Sequence, residues 1–341
     1  MTGTRSGAGR ARRRLQLLLP LGLPLLATGC GRENLLDPAS PQQHKIATLW
    51  WVMMGVAWFG LALIGFLLAL GWLRRKREGL PGGGGDRVAT ALVVGLGVAA
   101  PIVSLSALFV WSDIFVMRAT SAPNPSSSSL TVEVTGHQWW WEVRYPGTRA
   151  VTANEIHIPV GARVNLVGKT ADVIHSFWIP KLNRKIDLIP GRTNRIVLEA
   201  TRAGRFRGQC YEYCGLQHAH MGMEVVAESP VRFRAWLANM AKDAAAPSTS
   251  MQRQGREAFL NEACSGCHQI RGTDAHARVG PDLTHVASRA TIAALTLPNE
   301  TGTLAGWIVD PQHDKPGARM PALDLQGPEV QALVAYLESL R

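Results

Sequence analysis

Two long uncharged runs of apolar residues constrain the fold of this chain more than any other feature. They cover residues 46–73 and 88–111, and neither contains a charged side chain. At ~1.5 Å per helical residue, even the shorter run would reach ~36 Å, which exceeds the ~30 Å hydrocarbon core of a bilayer. Segments in lipid must satisfy their own backbone polar groups, so each run is expected to be a membrane-spanning helix and not the core helix of a soluble protein.

The basic residues between the two runs predict the orientation of this pair of helices. Arg74, Arg75, Lys76 and Arg77 follow the first run directly. Short loops rich in Arg and Lys mark the cytoplasmic side. We therefore predict a multi-pass protein of the bacterial inner membrane, with a transmembrane hairpin over residues 46–117 and everything after residue 118 on the outer, periplasmic side. The formal net charge of +11 reflects such topogenic arginines in part, so it does not indicate nucleic-acid binding.

The first 30 residues have the layout of an export signal. Several arginines precede an apolar run from Leu15 to Leu26, and small residues follow before Cys30. This pattern predicts a signal peptide over residues 1–30. Its end also resembles a bacterial lipobox, in which Cys30 would be lipidated, and an ordinary signal-peptidase cut is the alternative.

Two cysteines lie in a compact motif with an imidazole and a thioether. Cys210, Cys214, His218 and Met221 fall within twelve residues. Thiolate, thioether and imidazole ligands together suit copper in either oxidation state, so the motif indicates a copper site for electron transfer, with two coppers favoured. Structural zinc is the alternative, but zinc has no use for Met221.

The other two downstream cysteines form a second motif. Cys264-Ser-Gly-Cys267-His268 has the spacing of a c-type haem attachment site, with His268 as the proximal iron ligand. A thioredoxin-type thiol pair is the alternative, but the surrounding pattern lacks its βαβ unit. Met320, the only methionine after the motif, is the predicted sixth ligand, and a Met/His pair raises the haem potential. The rival ligands are His276, His285 and His313.

The hydrophobic pattern predicts two domains after the hairpin. Residues 130–230 contain short β-type runs between Gly and Pro turns, which predicts an antiparallel sandwich. Ser229 is a candidate N-cap for a helix that starts at Pro230 and ends near Lys242. After a linker over residues 244–250, the pattern over residues 251–341 is helical, and the last helix carries an apolar face of Leu333, Tyr336, Leu337 and Leu340.

At this point the residues resemble a known family. Residues 130–230 are similar to the cupredoxin (Greek-key sandwich) domain of cytochrome c oxidase subunit II, and the whole chain resembles the bacterial version with an all-α, class I-like cytochrome c domain fused behind it. The resemblance implies a multidomain chain with a dinuclear CuA centre. Its implied ligands are His175, Cys210, Cys214, His218, Met221 and the backbone carbonyl of Glu212.

The resemblance implies two further roles in the same region. The carboxylate of Glu212 would help to bind a magnesium ion shared with subunit I. Trp139, in an aromatic segment over residues 136–145, matches the position through which electrons enter. From residue type alone, a Trp-rich strand is more often part of the core.

The function that the resemblance implies is that of a subunit through which electrons enter a haem-copper cytochrome c oxidase. Electrons from an external cytochrome or other donor would pass through haem c and CuA to the haems of subunit I, where oxygen reduction is coupled to proton pumping. Subunit I, subunit III and membrane lipid would be the partners, and this chain itself would carry no catalytic residue. The alternatives are a CuA-bearing small subunit of a nitric oxide reductase, and a membrane-anchored electron carrier or copper-handling protein. A quinol oxidase subunit is disfavoured because such proteins lack the copper ligands.

Two features depart from the family pattern. Many members carry a glutamate at the cytoplasmic start of the second span, where this chain offers only Asp86, so a role in proton uptake is in question. In addition, residues 130–240 contain 14 Lys and Arg against 9 Asp and Glu, while residues 251–341 contain 8 against 10. A basic copper domain beside a slightly acidic haem domain predicts that the two attract each other as tethered partners.

Overall fold

The computed structural model describes residues 33–74, 85–121 and 128–341. The predicted signal peptide with Cys30 and most of the basic loop after Leu73 lie outside these residues, as does the side chain of Asp86.

Two long apolar helical segments lie at the N-terminal end of the described chain. The first is α1 (Pro41–Arg74); the second contains α2 (Gly85–Val94), α3 (Ala100–Trp111) and α4 (Arg118–Thr120), joined by π-helical turns. They contain candidate membrane spans of 33 and 34 residues, each with an 18-residue window of mean hydropathy 2.3, and many of their apolar side chains are exposed. Both helices extend beyond the apolar runs, because polar residues at membrane-helix ends can continue the same backbone hydrogen bonding.

Ten strands form two five-stranded sheets in the middle of the chain. In chain order they are β1 (Leu130–His137), β2 (Trp140–Arg144), β3 (Val151–Ala153), β4 (Glu155–Pro159), β5 (Val164–Thr170), β6 (His175–Trp178), β7 (Ile186–Leu188), β8 (Asn194–Leu198), β9 (Gly204–Cys210) and β10 (Gly222–Glu228). One sheet has the order β3-β2-β1-β5-β8 and the other β4-β10-β9-β6-β7. Inward-facing residues such as Val132, Val134 and Trp141 are fully buried between them, as expected of a sandwich.

The structure corrects the predicted antiparallel pairing in two places. β1 pairs with β5 in parallel, and β4 pairs with β10 in parallel. The chain moves from one sheet to the other between these strands, so each partner is entered in the same direction. The aromatic segment over residues 136–145 is also divided, because a turn at Gln138 and Trp139 separates β1 from β2.

Helices are the main regular elements of the C-terminal region, which follows α5 (Pro230–Met240). They are α6 (Ser250–Asn261), α7 (Thr301–Val309), α8 (Pro311–Asp314) and α9 (Gly327–Ser339), with a small hairpin of β11 (Thr291–Ile292) and β12 (Leu297–Pro298). The Ser229 hydroxyl accepts a hydrogen bond from the Arg232 amide, as its predicted N-cap role requires. Gly255 lets α6 cross α9 closely, since a Cβ there would lie 1.9 Å from the Ala332 carbonyl oxygen.

The sandwich and the C-terminal region contact each other directly. The Ala290 amide donates to the Glu155 carboxylate at 2.9 Å, and the Gly222 amide donates to the Ala294 carbonyl at 3.2 Å. Arg271 donates to the carbonyls of Met240 and Lys242 at 2.6 and 2.9 Å, which holds the start of the linker against the helical domain. These contacts bring the copper motif and the haem motif to the same interface.

Candidate metal centres

Five predicted copper ligands form one cluster at an end of the sandwich. Cys210 Sγ lies 3.7 Å from Cys214 Sγ and 3.9 Å from His175 Nδ1. Cys214 Sγ lies 3.6 Å from His218 Nδ1 and 3.8 Å from Met221 Sδ. The two sulfurs at the centre therefore each have further donor atoms beside them, which is an arrangement that could hold two metal ions.

Strand pairing brings these ligands together from distant parts of the sequence. Cys210 ends β9, and Met221 immediately precedes β10, so the loop between two antiparallel neighbours carries the motif. The Cys210 amide closes the loop by donating to the Met221 carbonyl at 3.0 Å. His175 begins β6, the other neighbour of β9. The Glu212 carbonyl oxygen lies 3.2 Å from Cys210 Sγ, where it can add an oxygen donor to the cluster.

The ring of His175 is held in one orientation. Its Nε2 lies 2.8 Å from Asp172 Oδ1, so Nδ1 points to the sulfurs, and carboxylate partners of this kind orient metal-binding histidines. A Cβ on Gly136 would lie 2.8 Å from the ring, so only glycine fits beside it. Burial would lower the pKa of His175, but its hydrogen bonds to Cys210 and Asp172 raise it above the ordinary value.

The donor set fits copper. The Cys214 thiol beside Cys210 holds the pKa of Cys210 below its ordinary value, which favours the thiolate form that binds metals. The side chains of Cys210, Cys214, His175 and Met221 are all buried, so water is excluded from them. Two thiols, two imidazoles and a thioether make a soft set that suits copper better than zinc, which would leave donors unused.

The side chain of Glu212 is exposed, unlike the sulfur donors. It is 44% exposed, and its carboxylate lies 3.4 Å from Lys185 Nζ.

Trp139 and Gln138 both contact the copper loop. The Trp139 indole N–H and the Gln138 side-chain amide donate to the Cys214 carbonyl oxygen at 3.0 and 2.8 Å. Trp141, two residues on, is fully buried and donates to the Met221 carbonyl at 3.3 Å. The aromatic segment therefore contains both a core tryptophan and a half-buried one, and only Trp139 of these two also lines the neighbouring cavity.

The two cysteines and the histidine of the haem-attachment motif line that cavity. Its wall includes Cys264, Cys267 and His268, with Met320 from the loop before α9. Apolar side chains such as Phe259, Val286, Ile292, Leu304, Trp307 and Leu337 form most of the remaining surface. The rival ligands His276, His285 and His313 are not among the described residues that line it.

The proximal histidine is fixed in a way that suits haem iron. His268 Nδ1 lies 2.8 Å from the Pro281 carbonyl oxygen, so Nδ1–H donates there and Nε2 is left to bind a metal. A Cβ on Gly280 would lie 2.5 Å from the ring, which again requires glycine. Burial lowers the pKa of His268, so the ring stays neutral as a ligand must.

A buried lysine of the haem domain contacts the copper domain, and no pattern in the sequence indicated it. Lys315 is 4% exposed and donates to the carbonyls of His220, Trp139 and Ala293 at 2.8, 3.2 and 3.3 Å. Burial lowers its pKa to about 8. Lys315 therefore links the haem domain to His220 in the copper loop and to Trp139, which contacts that loop.

Arg319 makes a second connection of the same kind. It donates to Gln138 Oε1 at 2.6 Å and lies 4.0 Å from Asp172, the carboxylate that orients His175. The sequence predicted an attraction between a basic copper domain and a slightly acidic haem domain, and it did not indicate these two cations of the haem domain. The cations at this contact belong to the haem domain, because local carboxylate and carbonyl groups matter more at short range than net domain charge.

Comparisons with known proteins agree with this arrangement. Residues 147–229 match the family model described as cytochrome c oxidase subunit II, periplasmic domain, and residues 252–341 match that for cytochrome c. Cytochrome c oxidase subunit 2 of Alkalihalophilus pseudofirmus is 36% identical over 95% of this chain and 96% of that protein. The chain belongs to the cytochrome c oxidase subunit 2 family.

Other relatives match all or part of this chain. The Bacillus subtilis subunit 2 is 30% identical over 96% of this chain and 98% of that protein. The crystal structure of the periplasmic domain of subunit II of cytochrome oxidase from Bradyrhizobium japonicum is 32% identical, with 35% of this chain and 96% of that one covered at a TM-score of 0.33. Family membership confirms the multidomain fold prediction, and it implies copper in the sandwich, haem in the helical domain and a membrane-anchored place among oxidase subunits.

Proposed function

We propose that this chain is the subunit through which electrons enter a haem-copper cytochrome c oxidase. When bound, haem c and dinuclear copper would supply two one-electron carriers between an external donor and the haems of subunit I. The observation that supports this most is the position of Trp139, which lines the haem cavity and donates to the backbone of the copper ligand Cys214. The side chain of Trp139 thus contacts both candidate centres.

The copper ligands proposed are the clustered side chains and one carbonyl. They are His175, Cys210, Cys214, His218, Met221 and the carbonyl of Glu212. Asp172 orients His175 through the 2.8 Å contact, and the Cys210–Met221 backbone hydrogen bond keeps the loop closed. Such fixed surroundings suit electron transfer, because the ligands need not rearrange when the charge of the metal changes.

In the haem domain, Cys264 and Cys267 would attach the haem covalently, with His268 and Met320 as axial ligands. Met320 lies in the cavity wall with His268, and its carbonyl accepts a hydrogen bond from Gln312 at 2.8 Å. This contact holds the Met320 backbone in place. A His/Met pair would favour a high haem potential, as an electron acceptor from an external donor requires.

The remaining roles concern neighbouring subunits and the membrane. Subunit I would contain the oxygen chemistry and the proton-pumping machinery, and the exposed carboxylate of Glu212 would bind magnesium at its boundary. Subunit III, an external cytochrome or other donor, and lipid around the two apolar helices complete the proposed partners. The metal domains would face the periplasm, and a signal peptide ending at Cys30, with or without lipidation, is proposed on sequence alone.

Purification of the tagged full-length chain from native membranes tests this function. We expect a large subunit with its own haem and copper to co-purify, and the complex to consume oxygen when a reduced soluble cytochrome is supplied. A chain that purifies alone would support a membrane-anchored carrier or copper-handling protein instead. A partner complex that reduces nitric oxide but not oxygen would support a nitric oxide reductase.

A further inference from the structure

Three buried polar atoms at the haem cavity have no hydrogen-bond partner among the residues that the structure describes. They are His137 Nε2, Arg289 Nε and Thr291 Oγ1. All three residues line the cavity that contains Cys264 and His268. Buried polar atoms are nearly always satisfied in proteins, so three such atoms around one cavity point to a polar group of a ligand.

The three residues come from two different domains. Arg289 and Thr291 belong to the haem domain, at the start of the β11–β12 hairpin. His137 ends β1 of the copper domain, and its ring stacks on Trp140 with the centroids 4.3 Å apart and the planes 9° apart. Because the stacking fixes the ring, Nε2 is held at the cavity wall.

The surroundings of Arg289 indicate the charge of the polar group on the ligand. Its side chain is buried, and one end donates to the Asp282 carbonyl oxygen. The Asp282 carboxylate is 3.3 Å from Arg271, and no described carboxylate lies within ion-pair distance of Arg289. A buried guanidinium without an anionic partner is costly, so this part of the cavity favours an anion.

The rest of the cavity restricts the class of ligand further. Its wall is mainly aliphatic and aromatic around the attachment cysteines. A ligand that is apolar over most of its surface and anionic at one edge fits these residues. Haem c has this chemistry, because its porphyrin is apolar and carries carboxylate side chains.

We propose that His137 of the copper domain donates a hydrogen bond to a haem carboxylate that Arg289 and Thr291 also hold. The copper domain would then complete the haem site, and His137 would be a cofactor-binding residue as well as a contact between domains. This inference rests on the covalent haem attachment proposed above. A donor to the carboxylate offsets its negative charge, which favours the reduced haem and raises its potential.

The test compares two His137 variants of the full-length chain in detergent. His137→Phe keeps a ring to stack on Trp140 but removes the donor, whereas His137→Gln keeps an N–H donor. Resonance Raman spectra report the bending mode of the haem carboxylates, and a redox titration reports the haem potential. His276→Phe, which replaces a histidine outside the cavity, is the matched control.

We expect His137→Phe to shift the carboxylate mode and to lower the haem potential, while His137→Gln and His276→Phe stay close to the parent chain. Thr291→Val, which removes a hydroxyl and preserves side-chain shape, should shift the same mode. If His137→Phe does not fold, His137→Leu, which also lacks a side-chain donor, takes its place and is measured by the same spectra. An unshifted mode in the folded donor-free His137 variant would overturn the inference.

A haem-stained denaturing gel separates this result from a failure of the proposed function. Covalent haem in the parent chain with unshifted spectra in the variants would refute only the role of His137. A parent chain without covalent haem would refute the attachment site and, with it, this inference.

Discussion

The copper cluster and the haem cavity differ in how much of each lies within one domain. In the copper cluster, the described donor atoms all belong to the sandwich, and neighbouring donor atoms lie 3.2–3.9 Å apart. The haem cavity is lined by residues of both domains, and Trp139, Trp140 and His137 of the sandwich form part of its wall. The copper cluster is thus formed within one domain, whereas the haem cavity is complete only when the two domains are in contact.

This difference has a consequence for how the two centres respond to change. Loss of a copper ligand should affect copper and leave covalent haem in place. A change at the domain contact should affect the haem environment first, because sandwich residues line the haem cavity while the described copper donor atoms all belong to the sandwich. Variants in the copper cluster and in the haem domain test this difference.

The largest expected effect is the loss of covalent haem from Cys264→Ser combined with Cys267→Ser. Because both thiols are removed, no thioether bond can form, and the haem-stained band on a denaturing gel should disappear completely. The paramagnetic resonance signal of copper should remain, because the described copper cluster does not include these residues. Retained haem on the gel would place the attachment site elsewhere.

A neighbouring pair of methionines tests the copper side. Met221→Leu should change the copper resonance spectrum and weaken copper retention by about tenfold, within the range seen when the surroundings of metal ligands are altered. Met223→Leu is the matched control, because Met223 is equally buried but is not a proposed ligand. The account would be contradicted if the two variants had the same spectrum.

The sixth haem ligand gives a smaller effect. Met320→Leu removes the thioether, so the haem potential should fall and the axial-ligand absorption should change, while covalent haem remains. Met251→Leu replaces an exposed methionine of the same domain and should leave both quantities unchanged. An unchanged potential in Met320→Leu would indicate another sixth ligand.

The smallest expected effect concerns the contact between the domains. Lys315→Met removes hydrogen bonds from a buried ammonium to three carbonyls, so the free energy of unfolding of the haem domain should fall by about 2 kcal/mol. Urea titration monitored by haem absorbance measures this change. Lys242→Met, at an exposed position, is the control, and equal stability of the two variants would show that Lys315 does not hold the domains together.

The parts of this account that the sequence predicted share a physical reason. The copper loop and the haem motif are short patterns in which the spacing itself carries the chemistry, so Cys210 and Cys264 could be interpreted without a structure. The helix capped by Ser229 was predicted because a cap depends on a few adjacent residues. Long uncharged runs are equally local signals.

The parts that the sequence did not predict depend on residues far apart in the chain. The parallel pairs β1–β5 and β4–β10 result from crossovers between sheets, which alternation of side chains does not encode. Lys315 resembled any surface lysine, and its burial follows only from docking against the Trp139 and His220 carbonyls. Net domain charge did not indicate the contacts of Lys315 and Arg319, because these two cations lie on the less basic domain.

Low-temperature paramagnetic resonance of the oxidised full-length chain, together with its copper and iron content, tests the central claim most directly. The account predicts hyperfine structure from one electron shared by two coppers, with two coppers for each haem iron. A single-copper spectrum, or zinc in place of copper, would contradict the proposed route of electrons through a dinuclear centre.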